Sequence, residues 1–265
     1  MDIGIDEYLT GKRLMGDDMG GAEAAQWVKD EREAYAGLVG SVDRYAYHGL
    51  NRRHGFHLMP GGRFRNVLGF GSADGQELEP IIGRLDAITI VEPSDSFVTD
   101  RIMTVPVRYV KPATDGRLPF RDGAFDLVLS LGALHHIPNV SRVVGELFRC
   151  MSAGGHALVR EPIVSLGDWR KPRKGLTKRE RGIPLELFRG IISKAGFTVV
   201  SERLCMFPLT GRLGPILGKS AYNSRLALSI DDILCRLFAW NVNYHPRNLI
   251  DKLRPTSVFY VLRKD

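Results

Sequence analysis

The stretch RLPFRDGAFDLVLSLGALHHI, from Arg117 to Ile137, decides the fold class of this 265-residue chain. It reads as a polar turn, then an apolar strand, and then small residues followed by two adjacent histidines. A buried strand that ends in small and titratable residues is typical of an open α/β sheet, which presents ligand sites at the carboxyl ends of its strands. A glycine-bearing turn, VLGFGSADG from Val67 to Gly75, follows another strand-like run upstream. Together the two segments predict a pocket for a nucleotide-type cofactor.

Apolar strand patterns alternate with helical patterns from residue 66 onward. Such alternation implies right-handed βαβ crossovers and a mostly parallel sheet with helices on both faces. The predicted strands are Asn66–Phe70, Ala87–Val91, Val105–Val110, Phe125–Leu131, one beginning at His156–Val159, Phe197–Leu204 and Ser257–Leu262. The predicted helices among them are Gly75–Gly83, Ser94–Met103, Val140–Met151 and Pro184–Ala195.

Two additions accompany this sheet domain, which we assign to residues 61–265. The first is an N-terminal helical cap over residues 1–60. The second is an insertion at 207–255, ahead of the last strand. We expect both additions to close over the carboxyl edge of the sheet. The helices predicted within them by apolar periodicity are Ala22–Leu38, Val42–Arg53 and 224–240.

Positive charge is concentrated in the second part of the chain. The net charge is +7, but residues 1–160 carry 18 Lys and Arg against 21 Asp and Glu, whereas residues 161–265 carry 19 against 9. The densest segment is a basic loop at 163–183. It could attract an anionic acceptor, nucleic acid or a membrane surface, or it could be an ordinary solvated loop. It lacks the interleaved aromatic residues that stack bases, which argues against a nucleic-acid partner.

Other compositional features exclude several classes of protein. No run of about 18 apolar residues occurs, so no transmembrane segment is predicted, and the N-terminus lacks the order of a signal peptide. Three scattered cysteines, Cys150, Cys205 and Cys235, indicate reduced thiols in a cytoplasmic protein. No cluster of His, Asp or Glu has the spacing of metal ligands, so no metal is expected. The sequence leaves the oligomeric state open.

The order and spacing of these segments resemble the class I S-adenosylmethionine-dependent methyltransferases, in particular the small-molecule group typified by the ubiquinone/menaquinone-biosynthesis enzymes. LPFRDGAFDLVLSLGALHHI is similar to that group's LPF…FD…LHH block almost position for position. GELFRCMSAGGHALVRE is similar to its following helix, Gly-Gly turn and fifth strand, and AGFTVV to its penultimate strand entry. The resemblance covers about residues 66–204, and SVFYVLRK fits an antiparallel last strand. It implies a Rossmann-like α/β fold with a seven-stranded, mostly parallel sheet. It also implies S-adenosylmethionine as the cofactor and S-adenosylhomocysteine as the product.

The glycine turn departs from that family's pattern at two positions. The pattern has an acidic residue where this chain has Gly69 and a glycine where it has Ala73, whereas Gly71 and Gly75 match. Gly71 would let the backbone approach the cofactor, and Gly75 would open the next helix tightly against the sheet. In the family, the acidic residue helps to hold the cofactor's ammonium group. Its absence predicts weaker binding unless another acid or a backbone carbonyl substitutes.

Further cofactor contacts follow from the same resemblance. Glu92 ends the second strand, where an acid can accept hydrogen bonds from both ribose hydroxyls; the alternative is a solvated glutamate. Asp115 could contact adenine or could be a turn residue, and the family's commonest acidic position falls on Thr114. The complete set of predicted cofactor-binding residues is Gly69, Gly71, Ser72, Gly75, Glu92, Pro93, Thr114, Asp115, Ser130 and Leu131.

The adjacent His135 and His136 are the candidate catalytic residues. A hydroxyl that accepts a methyl group must lose its proton, and a histidine with a pKa near neutrality suits a general base. His136 is slightly favoured, but either ring could instead pack under the cofactor or cap a helix. Tyr244, His245 and Arg247, in the insertion, are candidate contacts to the acceptor.

These features predict a methyltransferase that acts at an oxygen of a small or medium polar acceptor. The loop at 163–183 and the insertion at 207–255 would bind that acceptor, and their basic, Tyr- and Asn-bearing character indicates an anionic or saccharide molecule or a natural-product intermediate. Two alternatives remain open. Gly69 and Ala73 motivate a catalytically silent relative that serves as a partner protein, and the basic second part of the chain motivates an RNA methyltransferase.

Overall fold

One mixed sheet organises the residues that the computed structural model describes, which are 5–38, 45–169, 171–217 and 220–265. Its strands are β1 (Val67–Phe70), β2 (Ile88–Val91), β3 (Arg101–Ile102), β4 (Val105–Val110), β5 (Phe125–Leu131), β6 (Met151–Pro162), β7 (Thr198–Cys205) and β8 (Ser257–Arg263). They lie in the order β3-β4-β2-β1-β5-β6-β8-β7. The central strands β4, β2, β1, β5 and β6 are parallel, whereas β8 runs antiparallel to β6 and β7.

The predicted α/β fold, with its mostly parallel sheet and antiparallel last strand, is confirmed, but the sheet has one strand more than expected. The helix predicted at Ser94–Met103 is wrong, because that segment contains only one 3-10 turn, Asp95–Phe97, before β3. Met103 has a positive φ of 51°, so the chain reverses and β3 pairs antiparallel with β4. The segment has too few apolar residues at helical spacing to bury one face of a helix.

Helices cover both faces of the sheet, because adjacent residues of a strand point to opposite sides. Leu68 and Val128 belong to the core on one face, whereas Val67 and Leu127 belong to the core on the other. The helices are α1 (Ile5–Leu9), α2 (Gly21–Leu38), α3 (His48–His54), α4 (Val140–Cys150), α5 (Leu185–Ala195), α6 (Gly214–Leu217) and α7 (Arg225–Leu237). Buried residues of α4 and α5 complete the first core, and those of α3 and α7 complete the second.

Helix α2 docks the N-terminal cap on the sheet domain. Trp27 is fully buried, and its Nε1 donates a hydrogen bond to the carbonyl of His136 at 2.7 Å. Helix α3 begins at His48, later than the predicted helix Val42–Arg53, whose first residues (42–44) lie outside the described residues. The cap therefore reaches the carboxyl edge of the sheet beside the histidine pair.

A buried carboxylate ties the insertion to the end of β7. Asp231 of α7 accepts hydrogen bonds from the backbone N–H groups of Met206 and Phe207, at 2.9 and 2.8 Å. The three cysteines are unbridged and buried, as predicted. Among the residues described, no helix is both long and apolar enough to cross a lipid bilayer.

Candidate active site

The turn after β1 holds two glycines in a left-handed conformation that only glycine adopts without strain. Gly71 has a φ of 66°, and a Cβ placed on it would lie 2.5 Å from the Cβ of Ala133. Gly75 has a φ of 77°, and a Cβ placed there would lie 2.2 Å from Cδ1 of Ile102. At Gly71 the backbone thus approaches the segment after β5, and at Gly75 it approaches β3, more closely than a side chain would permit. Gly71 also lines the cavity described below, so a ligand there would lie against its backbone.

Ala73 keeps the same turn although it replaces a family glycine. Its φ of 45° is left-handed, a conformation that costs an L-residue about 1 kcal/mol. Its N–H donates to Oε2 of Glu92 at 3.3 Å, and its carbonyl accepts a hydrogen bond from the Tyr109 hydroxyl at 3.0 Å. These two hydrogen bonds hold Ala73 in the backbone conformation that a glycine would adopt without strain.

Glu92 supplies a buried carboxylate at the end of β2. Its side chain accepts hydrogen bonds from the N–H groups of Ser94, at 3.0 Å, and Ala73. Burial raises the pKa of Glu92, and the two backbone hydrogen bonds and the charge of Lys111 oppose that rise. Each carboxylate oxygen has a second lone pair. The group can therefore accept a further hydrogen bond at each oxygen, which fits the two hydroxyls of a ribose.

A largely apolar cavity opens beside Glu92 at the carboxyl edge of the sheet. It lies where β1 separates β2 from β5, which is the point where the strand order reverses and where open α/β sheets bind ligands. Five residues predicted from the sequence line it, namely Gly71, Glu92, Pro93, Thr114 and His136. Six others of the predicted cofactor set lie outside its lining, namely Gly69, Ser72, Gly75, Asp115, Ser130 and Leu131.

Asp115 and Leu131, two of those six residues, make hydrogen bonds to other residues of the protein. Asp115 Oδ1 accepts a hydrogen bond from the N–H of Arg117 at 3.0 Å, so the geometry favours the turn interpretation of Asp115 over an adenine contact. The carbonyl of Leu131 accepts a hydrogen bond from Nη2 of Arg160 at 3.2 Å. The position that lines the cavity at the end of β5 is instead Gly132.

The space beside Gly69 is occupied by another side chain. A Cβ placed on Gly69 would lie 2.4 Å from Oγ of Ser72, so an acidic residue there would displace Ser72. Glu77 follows in the 3-10 helix Gln76–Arg84 and is buried. Burial raises the pKa of Glu77 to about 7, although the Ser72 hydroxyl acts against that rise. A buried carboxyl group therefore sits beside Ser72, close to the position where the family carries its acid.

Two carboxylates enclose His135. Its Nδ1 lies 2.7 Å from Oε2 of Glu161, and its Nε2 lies 3.6 Å from Oε1 of Glu180. Burial alone would lower the pKa of His135, but the two carboxylates raise it to about 9. The ring is therefore an imidazolium at neutral pH and does not accept a proton. Glu161 also accepts hydrogen bonds from the N–H groups of Ala133 and Leu134, which fixes the start of the histidine segment.

His136 lines the cavity and is in a different environment. Its Nδ1 lies 2.9 Å from Oε2 of Glu31, a residue of α2. Glu31 is also held by the Thr177 hydroxyl at 2.5 Å and by the N–H of Arg179 at 2.7 Å. Burial and the positive charge of His135 lower the pKa of His136, and Glu31 opposes that shift. Because Nδ1 hydrogen-bonds to a carboxylate, Nε2 is the ring nitrogen that can accept a proton.

The histidine cluster also meets a geometric condition for binding a metal. His135, His136 and Glu180 each offer one ligand-type atom, and these atoms lie within 4.8 Å of one another. Both nitrogens of His135 face carboxylates, however, and a doubly protonated imidazole is not a ligand. The ion pairs with Glu161 and Glu180 balance the charge of this ring without a cation. The absence of a metal stays a prediction.

The basic loop at 163–183 joins the cap to the histidine segment. Arg179 pairs with Asp30 of α2 at 3.1 Å. Arg181 is fully buried, and burial lowers its pKa to about 10. Its guanidinium donates hydrogen bonds to the backbone carbonyls of Met15, Leu134, His135 and Ile137. These arginines therefore stabilise the assembly of the site and do not form an open cationic patch.

Two of the three predicted acceptor contacts, Tyr244 and His245, lie against this loop, and all three lie outside the cavity lining. The Tyr244 hydroxyl donates to the carbonyl of Gly182 at 2.8 Å, and Nδ1 of His245 lies 2.8 Å from Oγ of Ser165. Arg247 is exposed, and its backbone N–H bonds to a neighbouring aspartate. The role of all three in acceptor binding stays a prediction.

Sequence reasoning missed the cavity residues that α2 contributes, Val28 and Glu31. Glu31 contacts His136 although the two residues are 105 positions apart in the sequence, and no local motif predicts that contact. Glu161 was also missed as a partner of His135. The sequence signal that could have identified Glu161 is its position, because it is an acid at the end of the strand next to the histidine segment.

Comparisons with known proteins show similarity to methyltransferases. Residues 68–159 match a family model described as a methyltransferase domain. Over 81 residues, the chain is 36% identical to phthiotriol/phenolphthiotriol dimycocerosates methyltransferase 1 of Mycobacterium ulcerans, a match that covers 28% of this chain and 29% of that protein. Over 98 residues, it is 30% identical to the ubiquinone/menaquinone biosynthesis C-methyltransferase UbiE of Xylella fastidiosa (strain M12), covering 37% of this chain and 38% of that protein.

A solved structure extends the likeness over most of the chain. The S-adenosylmethionine-dependent methyltransferase from Mesorhizobium loti superposes with a TM-score of 0.51 at 14% identity, covering 78% of this chain and 94% of that one. At this identity the likeness shows the fold. Residues 68–159 therefore match a methyltransferase domain, and the chain shares the fold of a solved S-adenosylmethionine-dependent methyltransferase. Over 98 residues it is also similar to a ubiquinone/menaquinone-biosynthesis methyltransferase.

Proposed function

We propose that this protein transfers the methyl group of S-adenosylmethionine to a hydroxyl oxygen of a small or medium polar acceptor. One observation carries the proposal: the same cavity is lined by the glycine turn at Gly71, the buried carboxylate of Glu92 and the ring of His136. The cavity therefore combines a surface that can bind the cofactor with a histidine suited to accept a proton. A binding protein without catalysis would need the cofactor-binding surface but not the histidine.

The residues of the cavity fit the cofactor in three ways. Gly71 lines the cavity without a side chain, so the cofactor would lie directly against its backbone. Glu92 would accept the ribose hydroxyls, and apolar residues such as Leu118 and Val143 would contact adenine beside Thr114. Bound there, S-adenosylmethionine supplies an electrophilic methyl group that passes from sulfur to the acceptor.

The chain's own contribution to catalysis is alignment, exclusion of water and proton transfer. The apolar lining excludes water, and holding both reactants in line supplies most of the rate. His136 Nε2 takes the proton of the acceptor hydroxyl as that oxygen bonds to carbon, and Glu31 stabilises the imidazolium that forms. Burial and the charge of His135 keep the pKa of His136 low, so the imidazolium readily gives up its proton after the transfer.

The charges around the site favour a neutral hydroxylated acceptor. Arg179 and Arg181 are occupied by α2 and by backbone carbonyls, which leaves less free charge for an anion. A saccharide or a hydroxylated natural-product intermediate meets this condition. The name of the Mycobacterium ulcerans relative refers to a triol, which supports a hydroxyl acceptor here.

Titration calorimetry with S-adenosylmethionine tests the cofactor site. We expect the Glu92→Ala variant to bind on the order of tenfold to a hundredfold more weakly, because two hydrogen bonds to a charged group are lost. The exposed Asp100→Ala variant is the matched control and should bind like the wild type. Absence of heat with the wild type would favour the silent-relative alternative. Equal affinity of Glu92→Ala and the wild type would remove Glu92 from the site.

A further inference from the structure

Helix α7 carries apolar side chains on two opposite faces. Ala227, Leu228 and Cys235 are buried against the sheet domain. The opposite face presents Leu226, Ile230, Ile233 and Leu237, which recur at intervals of four, three and four residues and so form one line along the helix. Three of them are more than 60% exposed. We call these four residues, together with Trp240, the apolar stripe.

The stripe continues beyond the end of α7. Trp240 is 74% exposed in the 3-10 turn that follows the helix. The side-chain amide of Asn241 donates to the carbonyl of Ile250 at 2.8 Å, which holds the segment with the exposed Leu249 and Ile250 close to Trp240. A contiguous exposed apolar surface of this kind marks a protein or membrane contact, because soluble monomers rarely carry one.

Cationic side chains accompany the stripe. Arg225 and Arg236 lie on α7 beside it, and Arg247 and Lys252 lie in the segment that continues it; all four are exposed. The nearby acids are occupied: Asp232 pairs with Arg53 at 2.6 Å, and Asp251 accepts the N–H of Arg247. The surface is therefore apolar along its centre and positive along its edge.

This combination distinguishes between two kinds of partner. In a symmetric dimer through this face, the arginines and Lys252 of two copies would approach one another, and like charges repel. An anionic bilayer satisfies both features, because Leu and Ile side chains enter the acyl boundary, Trp lies at the headgroup level, and Arg and Lys meet lipid phosphates. We propose that the apolar stripe and its arginines dock the protein on the surface of an anionic lipid membrane.

Flotation of the full chain with lipid vesicles tests this docking surface. We expect binding to phosphatidylcholine vesicles that contain phosphatidylglycerol, and much weaker binding to phosphatidylcholine alone. The double variant Ile233→Asp with Leu237→Asp should reduce the partition coefficient on the order of a hundredfold, because two apolar side chains no longer enter the bilayer. Raising the salt concentration should weaken the binding of the wild type, because it screens the arginines.

Matched variants and a second measurement keep the test decisive. Val98→Asp changes an exposed apolar residue near the opposite edge of the sheet and should leave vesicle binding unchanged. Circular dichroism should show that every variant is folded. The proposal is overturned if the wild type binds neither kind of vesicle, or if the double variant binds as well as the wild type. A dimer in light scattering that the double variant abolishes, without vesicle binding, would also overturn it and assign the face to self-association.

Discussion

His135 and His136 are in contact, with ring centroids 4.1 Å apart, yet their surroundings impose opposite protonation states. Glu161 and Glu180 keep His135 charged, whereas burial and the charge of His135 lower the pKa of His136. One ring thus acts as a fixed positive charge, while the other has a lowered pKa and is the ring that can accept a proton. The division of roles depends on which carboxylates reach each ring and not on the histidines themselves.

The pH dependence of methyl transfer should reveal this division. We expect kcat/KM to fall on the acid side, as His136 becomes protonated, and His136→Ala to lose roughly two to four orders of magnitude. Glu31→Gln removes an interaction that raises the pKa of His136, so its acid limb should move to lower pH. His135→Asn removes a positive charge that lowers the pKa of His136, while Glu180 still raises that pKa. The acid limb of this variant should therefore move to higher pH. Shifts of the two variants in the same direction would contradict the assignment.

Glu77 should make the free energy of unfolding depend on pH. Its pKa in the folded protein is raised to about 7 from an ordinary value near 4.5. Between these two pH values, the folded state therefore holds a proton on Glu77 that the unfolded state has lost. Stability should therefore fall as pH rises from about 5 to 7, and Glu77→Gln should be more stable than the wild type by up to about 3 kcal/mol at pH 8. Urea denaturation at pH 5 and pH 8 measures this. The exposed Glu79→Gln variant is the control. If Glu77→Gln gained the same free energy of unfolding at pH 5 and at pH 8, the raised pKa of Glu77 would not be the cause.

At the scale of elements, the turn between β1 and the following 3-10 helix offers a matched pair of substitutions. Gly71→Ala adds a methyl group 2.5 Å from Ala133 at a positive φ, so it should destabilise the fold and weaken cofactor binding. Ala73→Gly relieves a left-handed alanine and should raise the free energy of unfolding by about 0.5–1 kcal/mol, with cofactor binding retained. Thermal unfolding and calorimetry measure both. Equal effects of the two variants would show that backbone conformation does not govern this turn.

The elements that the sequence predicted are those whose apolar pattern is local. β1 and β5 are short apolar runs bounded by polar turns, and their burial follows from that pattern. β3 was missed because two residues carry no periodicity, and its pairing depends on the reversal at Met103. The helix after β1 was placed correctly but is a 3-10 helix, and it contains Pro80, whose missing N–H weakens α-helical bonding.

At the scale of the molecule, the site is assembled from segments that are distant in sequence. Gly71 and Glu92 could be identified because their strands and turns repeat a family pattern. Glu31 could not be, because α2 reaches the cavity only after the cap docks through Trp27. The internal partners of the basic loop could not be identified for the same reason, because Asp30 of α2 pairs with Arg179 across a long sequence separation.

Arg181 joins three of these segments, so its replacement tests the assembly as a whole. Arg181→Lys keeps the charge but cannot reach the same set of carbonyls, which would leave buried acceptors unpaired beside a buried ammonium group. We expect a loss of about 2–4 kcal/mol in the free energy of unfolding, measured in urea, against no change for the exposed Lys174→Ala in the same loop. Because the guanidinium binds the carbonyl of His135, methyl transfer should fall further than cofactor affinity. A stable, fully active Arg181→Lys would show that the loop is dispensable to the site.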